Sequence, residues 1–158
     1  MKKLTLIYIL IYSGFCLAED DCVRNTPESI GKAEHSLVES YNLSTNNDGH
    51  LVEEIKLKSG QGLYISQYGC AHFGLEYKFK LEKAFDGNLI IQARKYLALV
   101  GEFAPMFTLS LSKALDEVAD NFATPEEITL TPGYDWIYLG AKSESNEHYF
   151  IISYDIAL

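Results

Sequence analysis

HFGLEYKFKL, residues 72–81, is the stretch on which the fold turns. Phe73, Leu75, Tyr77, Phe79 and Leu81 share one parity, and His72, Gly74, Glu76, Lys78 and Lys80 share the other. An apolar/polar period of two is the mark of a β-strand with one covered face. Working back towards the N-terminus, the same alternation recurs. Leu37, Glu39, Tyr41 and Leu43 occupy one parity before the turn-forming STNNDGH of residues 44–50. LVEEIKLK (51–58) carries Leu51, Ile55 and Leu57 on one parity, SGQG (59–62) turns the chain, and LYISQYG (63–69) is rich in β-formers. Four such runs joined by short turns predict an antiparallel meander. Ahead of them, TPESIGKAEH (26–35) has a Pro-Glu pair suited to opening a short helix, which Gly31 weakens.

Beyond residue 81 the period changes. After FDGN (85–88), Leu89, Ala93, Tyr96, Leu97 and Val100 recur at helical spacing, and Gly101 and Pro105 interrupt them. Phe107, Leu111, Leu115, Val118 and Phe122 then recur at steps of three and four, with Pro105 suited to the first turn of this second helix. The chain reverts to strands in EITLT (127–131), YDWIYLG (134–140) and HYFIISYDIAL (148–158). The last of these is apolar on both parities, as a central strand requires. The expectation is an α+β domain. It has an antiparallel sheet of about seven strands (four, a helical hairpin, then three), with the helices packed on one face.

The first residues set the destination. Lys2 and Lys3 precede the apolar run Leu4–Ala18, and Glu19-Asp20-Asp21 follows abruptly. That is the layout of a secretory signal peptide, residues 1–18, with Cys16 and Ala18 at the −3 and −1 positions of the cleavage site. Residues 19–158 are expected to form a single exported domain, periplasmic or secreted, with no membrane insertion once the signal is cleaved. Cleavage removes Cys16 of the three cysteines, and Cys22 and Cys70 then read as one disulfide in an oxidising compartment. It also removes Lys2 and Lys3, taking the formal net charge from −9 to −11. Such a domain is repelled by nucleic-acid phosphates and attracts basic proteins.

No catalytic signature is present. His35, His50, His72 and His148 make no HxH or HxxxH pair, so no metal motif is expected. Cys70 and His72 are two positions apart, but a disulfide-bonded sulfur neither ligates nor attacks. G-x-S-x-G, Walker and dinucleotide glycine patterns are absent. Glu53-Glu54 and Glu126-Glu127 point to opposite strand faces and so form no acid/base pair. STNNDGH lacks the ligand spacing of a calcium loop. No cofactor is implied.

The aromatics carry the functional signal. Nine of the eleven tyrosines lie beyond the leader. If Leu63 and Ile65 face the helices, Tyr64 and Tyr68 face out. If Ile137 and Leu139 face in, Tyr134, Trp136 and Tyr138 form an outward row with Asp135 at its rim. Outward Tyr and Trp among carboxylates suit a protein- or sugar-binding surface. In format alone, with no residue assignments, this small acidic exported chain resembles periplasmic inhibitors of lysozyme-like enzymes and immunity proteins against cell-wall-targeting toxins. The sequence therefore reads as a non-enzymatic binding module for a basic protein. The alternatives are an envelope protein that binds a small ligand or glycan, and a hydrolase with a dispersed site.

Overall fold

The computed structural model describes residues 28–69, 72–116, 126–131 and 135–157. The leader, Cys22 and Cys70, together with the disulfide expected between them, lie outside the described residues. So do Tyr134, Val118 and Phe122.

The described chain is α+β. Its strands are β1 (Val38–Thr45), β2 (Leu51–Leu57), β3 (Gly62–Tyr68), β4 (His72–Leu81), β5 (Glu126–Thr131), β6 (Asp135–Glu144) and β7 (Glu147–Ala157). Helices α1 (Leu89–Phe103) and α2 (Thr108–Asp116) fall between β4 and β5. All neighbouring strands are antiparallel, in the order β1-β2-β3-β4-β7-β6-β5. The first four strands are a meander. The chain then crosses over through the helices and returns, so that β7 pairs with β4 along ten positions, His72↔Ala157 to Leu81↔His148. Tyr149, Ile151 and Ser153 are buried on one side of β7, and Phe150, Ile152 and Tyr154 on the other. The helices cover the second set, while the first is shielded on the open face by side chains of neighbouring strands, such as Lys78 and Tyr64 around Tyr149, which explains the doubly apolar sequence.

The core lies between one sheet face and the helices. Ile55, Leu63, Ile65, Leu75, Tyr77, Phe79, Ile137, Leu139, Phe150 and Ile152 meet Leu89, Ile90, Ala93, Leu97, Val100, Leu111 and Leu115. Tyr96 of α1 stacks on Phe79 at a centroid separation of 3.9 Å and leans on Phe150 at 5.3 Å. Asn88 caps α1, its Oδ1 accepting from the Ile91 amide at 2.9 Å.

Three local expectations are corrected. Residues 28–37 form turns rather than a helix, because Glu53 on β2 takes the amides that would have started one. Its carboxylate accepts from the Ile30 and Gly31 N–H groups, both at 2.8 Å, and the segment becomes a strap across the sheet. Gly31 is needed there, since a Cβ would run into that carboxylate. β1 carries a bulge between Val38 and Ser40 that resets its parity, so Val38 and Tyr41 share the inward side instead of Leu37 and Tyr41. The second helix begins at Thr108, not at Pro105. Between them Phe107 has φ of 67°, a left-handed conformation costing about 1–3 kcal/mol, and its ring packs 5.0 Å from Phe73.

Candidate functional site

The sheet face away from the helices is the candidate surface. Register determines what it presents. Ile65 pairs with Tyr77 and Leu63 with Phe79, all four buried, so Tyr64 and Tyr68 alternate to the opposite face. On β6, Ile137 and Leu139 are buried in the core, and Trp136 and Tyr138 point the other way. Trp136 is half-buried there and Tyr138 is 36% exposed. Asp135 pairs with Ile156 and falls on the parity opposite to Trp136, so its backbone position is not in the aromatic row.

β3 and β6 are not neighbours, and β4 and β7 lie between them. Across this gap the registers line up one row: Tyr68, Gly74, Asp155 and Trp136. The Tyr68 ring lies over Gly74, where any Cβ would overlap it, and its hydroxyl reaches Asp155 Oδ2 at 3.3 Å. His50 packs on the other side of Tyr68 at a centroid distance of 5.4 Å. The adjacent row holds Ser66, Glu76, Ser153 and Tyr138, with Ser153 Oγ donating to Glu76 at 3.4 Å. Tyr138 folds over Gly140, the second glycine gap in the face. Tyr68, Glu76, Trp136, Tyr138 and Asp155 are thus one continuous aromatic and acidic patch. Burial, with the nearby Asp155 and Glu76 charges next, pushes the Tyr68 phenol well above its ordinary range, so it stays a protonated donor.

The opposite end of the same face has a different character. Lys78 bonds Glu144 at 2.9 Å and sits 4.1 Å above the Tyr149 ring, Lys142 bonds Glu144 at 2.6 Å, and Lys80 pairs with Glu147. Tyr64 meets Tyr149 edge-on at 6.4 Å, within this charged network rather than in the acidic patch. Hydrogen bonds from Lys142 and then Lys78 hold the Glu144 carboxyl down at about 2. Glu147 is lowered by Lys80 and then Tyr149, and the Tyr149 phenol is pushed up to about 12, chiefly by its bond to Glu147. Each lysine at this end is engaged by Glu144 or Glu147, whereas the other end presents aromatic rings and carboxylates.

Glu76 and Asp155 are the patch members that the aromatic pattern by itself misses. Each is a carboxylate on the outward parity of a strand otherwise rich in core residues, and that parity was the available signal.

His148 Nδ1 meets Ser143 Oγ at 2.7 Å on the exposed β6–β7 hairpin, and His35 lies 6.3 Å from the Phe103 ring. Among the described residues no three metal-ligating side chains converge, and no helix is long and apolar enough to cross a membrane. A separate open groove of about 600 Å³ lies between the β2–β3 turn and the β4–α1 loop, where Gln61, Lys80, Phe85, Asp86, Gln92 and Tyr96 line it. No family model, curated protein or solved structure compared with this chain matches it.

Proposed function

We propose that this chain is an exported, non-enzymatic binding module that docks a basic protein through the uncovered sheet face. In this reading it serves as an inhibitor or immunity protein against a cell-wall-targeting enzyme or toxin. The observation that carries the proposal is the continuous row Tyr68–Asp155–Trp136, with Glu76 and Tyr138 beside it. Half-buried aromatic rings supply contact area with few rotors to freeze, and a partner lysine or arginine gains both a carboxylate and a ring face. The net charge steers a basic partner into encounter, while the aromatic contacts set how long the complex lasts. The face is already ordered by Tyr68–Asp155 and Ser153–Glu76, so little is lost on binding.

The test is inhibition. Mature, oxidised protein is titrated into a panel of basic lysozymes and other cell-wall hydrolases. Stoichiometric inhibition that disappears in the Trp136→Ala/Tyr138→Ala double variant supports the proposal. Unimpaired hydrolysis by every basic enzyme of the panel counts against the inhibitor role. The groove beside Tyr96 and Phe85 favours a second reading, a small-ligand or glycan module. In that case soluble peptidoglycan fragments would shift the amide resonances of Gln61, Phe85 and Gln92 and leave the aromatic row unmoved.

A further inference from the structure

β1 is an edge of the sheet, and among the described residues no strand pairs with its outer side. The β1–β2 hairpin closes with the Asn46 amide donating to the His50 carbonyl at 3.0 Å and with Gly49 at φ 76°. Antiparallel ladders alternate bonded and non-bonded pairs. Counting back from Asn46, the pairs at Ser44↔Val52, Asn42↔Glu54 and Ser40↔Lys56 are the bonded ones, and Tyr41, Leu43 and Thr45 turn their N–H and C=O groups away from β2.

Edges of this kind are usually blunted by lysine, proline, an inward charge or a bulge. Residues 40–45, Ser-Tyr-Asn-Leu-Ser-Thr, contain none of the first three, and the bulge lies beyond them at Val38/Ser40. The one charge on the strand, Glu39, is paired with Lys56 at 2.8 Å. In a chain of net charge −9 this is an uncharged, extended edge, capped by a leucine that is 46% exposed.

We propose that β1 is a self-association edge: two copies pair their β1 strands antiparallel about a twofold axis at Leu43, making one sheet across both. The register follows from the open groups. Leu43 faces its own copy, Tyr41 faces Thr45, and Asn42 faces Ser44. Glu39 falls opposite Asn47, so no two carboxylates meet. The exposed leucines cover each other on the helix side of the joined sheet. A second copy fits better than a basic partner, because residues 40–45 offer such a partner no carboxylate. Among the described residues the N-terminal strap reaches β1 at the Tyr41 hydroxyl, 2.5 Å from Ser29 Oγ, and not at the backbone of residues 41–45, and its Glu28 carbonyl is held by Gln67 of β3 at 2.8 Å.

Sedimentation velocity on the mature, oxidised protein from about 1 to 200 µM tests this, with a reversible monomer–dimer equilibrium expected. Thr45→Pro deletes an outward N–H without costing a β1–β2 bond, and Leu43→Lys sets like charges on the axis. Each is expected to weaken the dimer about tenfold or more with the circular dichroism spectrum unchanged. Leu43→Cys should link two copies on oxidation, because bonded antiparallel partners lie about 5.5 Å apart at Cα, within disulfide reach. Ser40→Cys should not. A chain that stays monomeric at the highest concentration overturns the proposal. So does a dimer indifferent to Leu43→Lys, or one that Ser40→Cys links and Leu43→Cys does not.

Discussion

Removing the carboxylate of Glu53 should release the N-terminal strap and cost a large part of the domain's stability. Glu53 is fully buried, and its oxygens divide the work. Oε1 accepts from the Ile30 amide at 2.8 Å and from Gln67 at 3.4 Å. Oε2 accepts from the Gly31 amide at 2.8 Å, Tyr41 at 2.9 Å and Ser29 at 3.1 Å. No cation appears among these five partners, so among the described residues amides and hydroxyls solvate the carboxylate. In Glu53→Ala the two amides lose their acceptor, at about 1–3 kcal/mol each where they stay buried. Undocking and rehydration of the strap limit the total, giving about 2–4 kcal/mol out of the 5–15 typical of a domain. Glu53→Gln is the sharper test. A carboxamide has one oxygen, so in either orientation its NH₂ faces the Ile30 or the Gly31 amide, and it should lose about 1–3 kcal/mol despite matching in shape. Urea unfolding gives the energy, and hydrogen exchange at residues 30 and 31 gives the location. Glu53→Gln within about 0.5 kcal/mol of wild type, with both amides still protected, would refute the role assigned to this residue.

Other consequences are open to equally direct checks. Gly74→Ala should push the Tyr68 ring off the sheet, cost about 1–3 kcal/mol, and bring the Tyr68 phenol titration back down towards 10, read by ultraviolet difference spectra. Gly140→Ala meets only the tip of the exposed Tyr138 side chain and should cost less. Glu144 has a folded pKa of about 2 against 4.5 for the free group, so its stabilising effect is present above pH 4.5 and lost as pH falls towards 2. The difference in unfolding free energy between wild type and Glu144→Gln should therefore shrink between pH 5 and pH 2, and a constant difference would contradict the assignment. Alkylation of the exported protein should add no mass until reduction frees Cys22 and Cys70, as an oxidised pair requires.

Local period carried much of the architecture. The strict alternation of residues 72–81 and the helical spacing from Leu89 to Val100 appear in β4 and α1 as read, because each has one face to bury and no competing partner. Alternation also gives the direction of a strand residue, which is why the outward side of β3 and β6 was open to reading. Strand order was not. Nothing near Tyr68 in sequence says that β7 slots in beside β4, and only that insertion brings Asp155 against Tyr68 and Trp136. Glu53 was hidden for the same reason. It looks like half of a solvated Glu-Glu pair, and its donors stand 22 and 23 residues away. The helix expected at Thr26–His35 failed because a tertiary carboxylate outbid local propensity. The second helix starts late because Phe107, left-handed and packed on Phe73, takes over the turn that Pro105 suggested.

A basic protein is expected to dock on the aromatic and acidic row of the open sheet face, and affinity capture puts this to the test. Mature, oxidised protein and its Trp136→Ala/Tyr138→Ala variant are immobilised side by side, exposed to periplasmic and secreted proteins at low and moderate salt, and the eluates are identified by mass spectrometry. A basic hydrolase or toxin held stoichiometrically by the wild type, and released by the variant, is the predicted result. Retention of no basic protein, or equal retention by both columns, would contradict it.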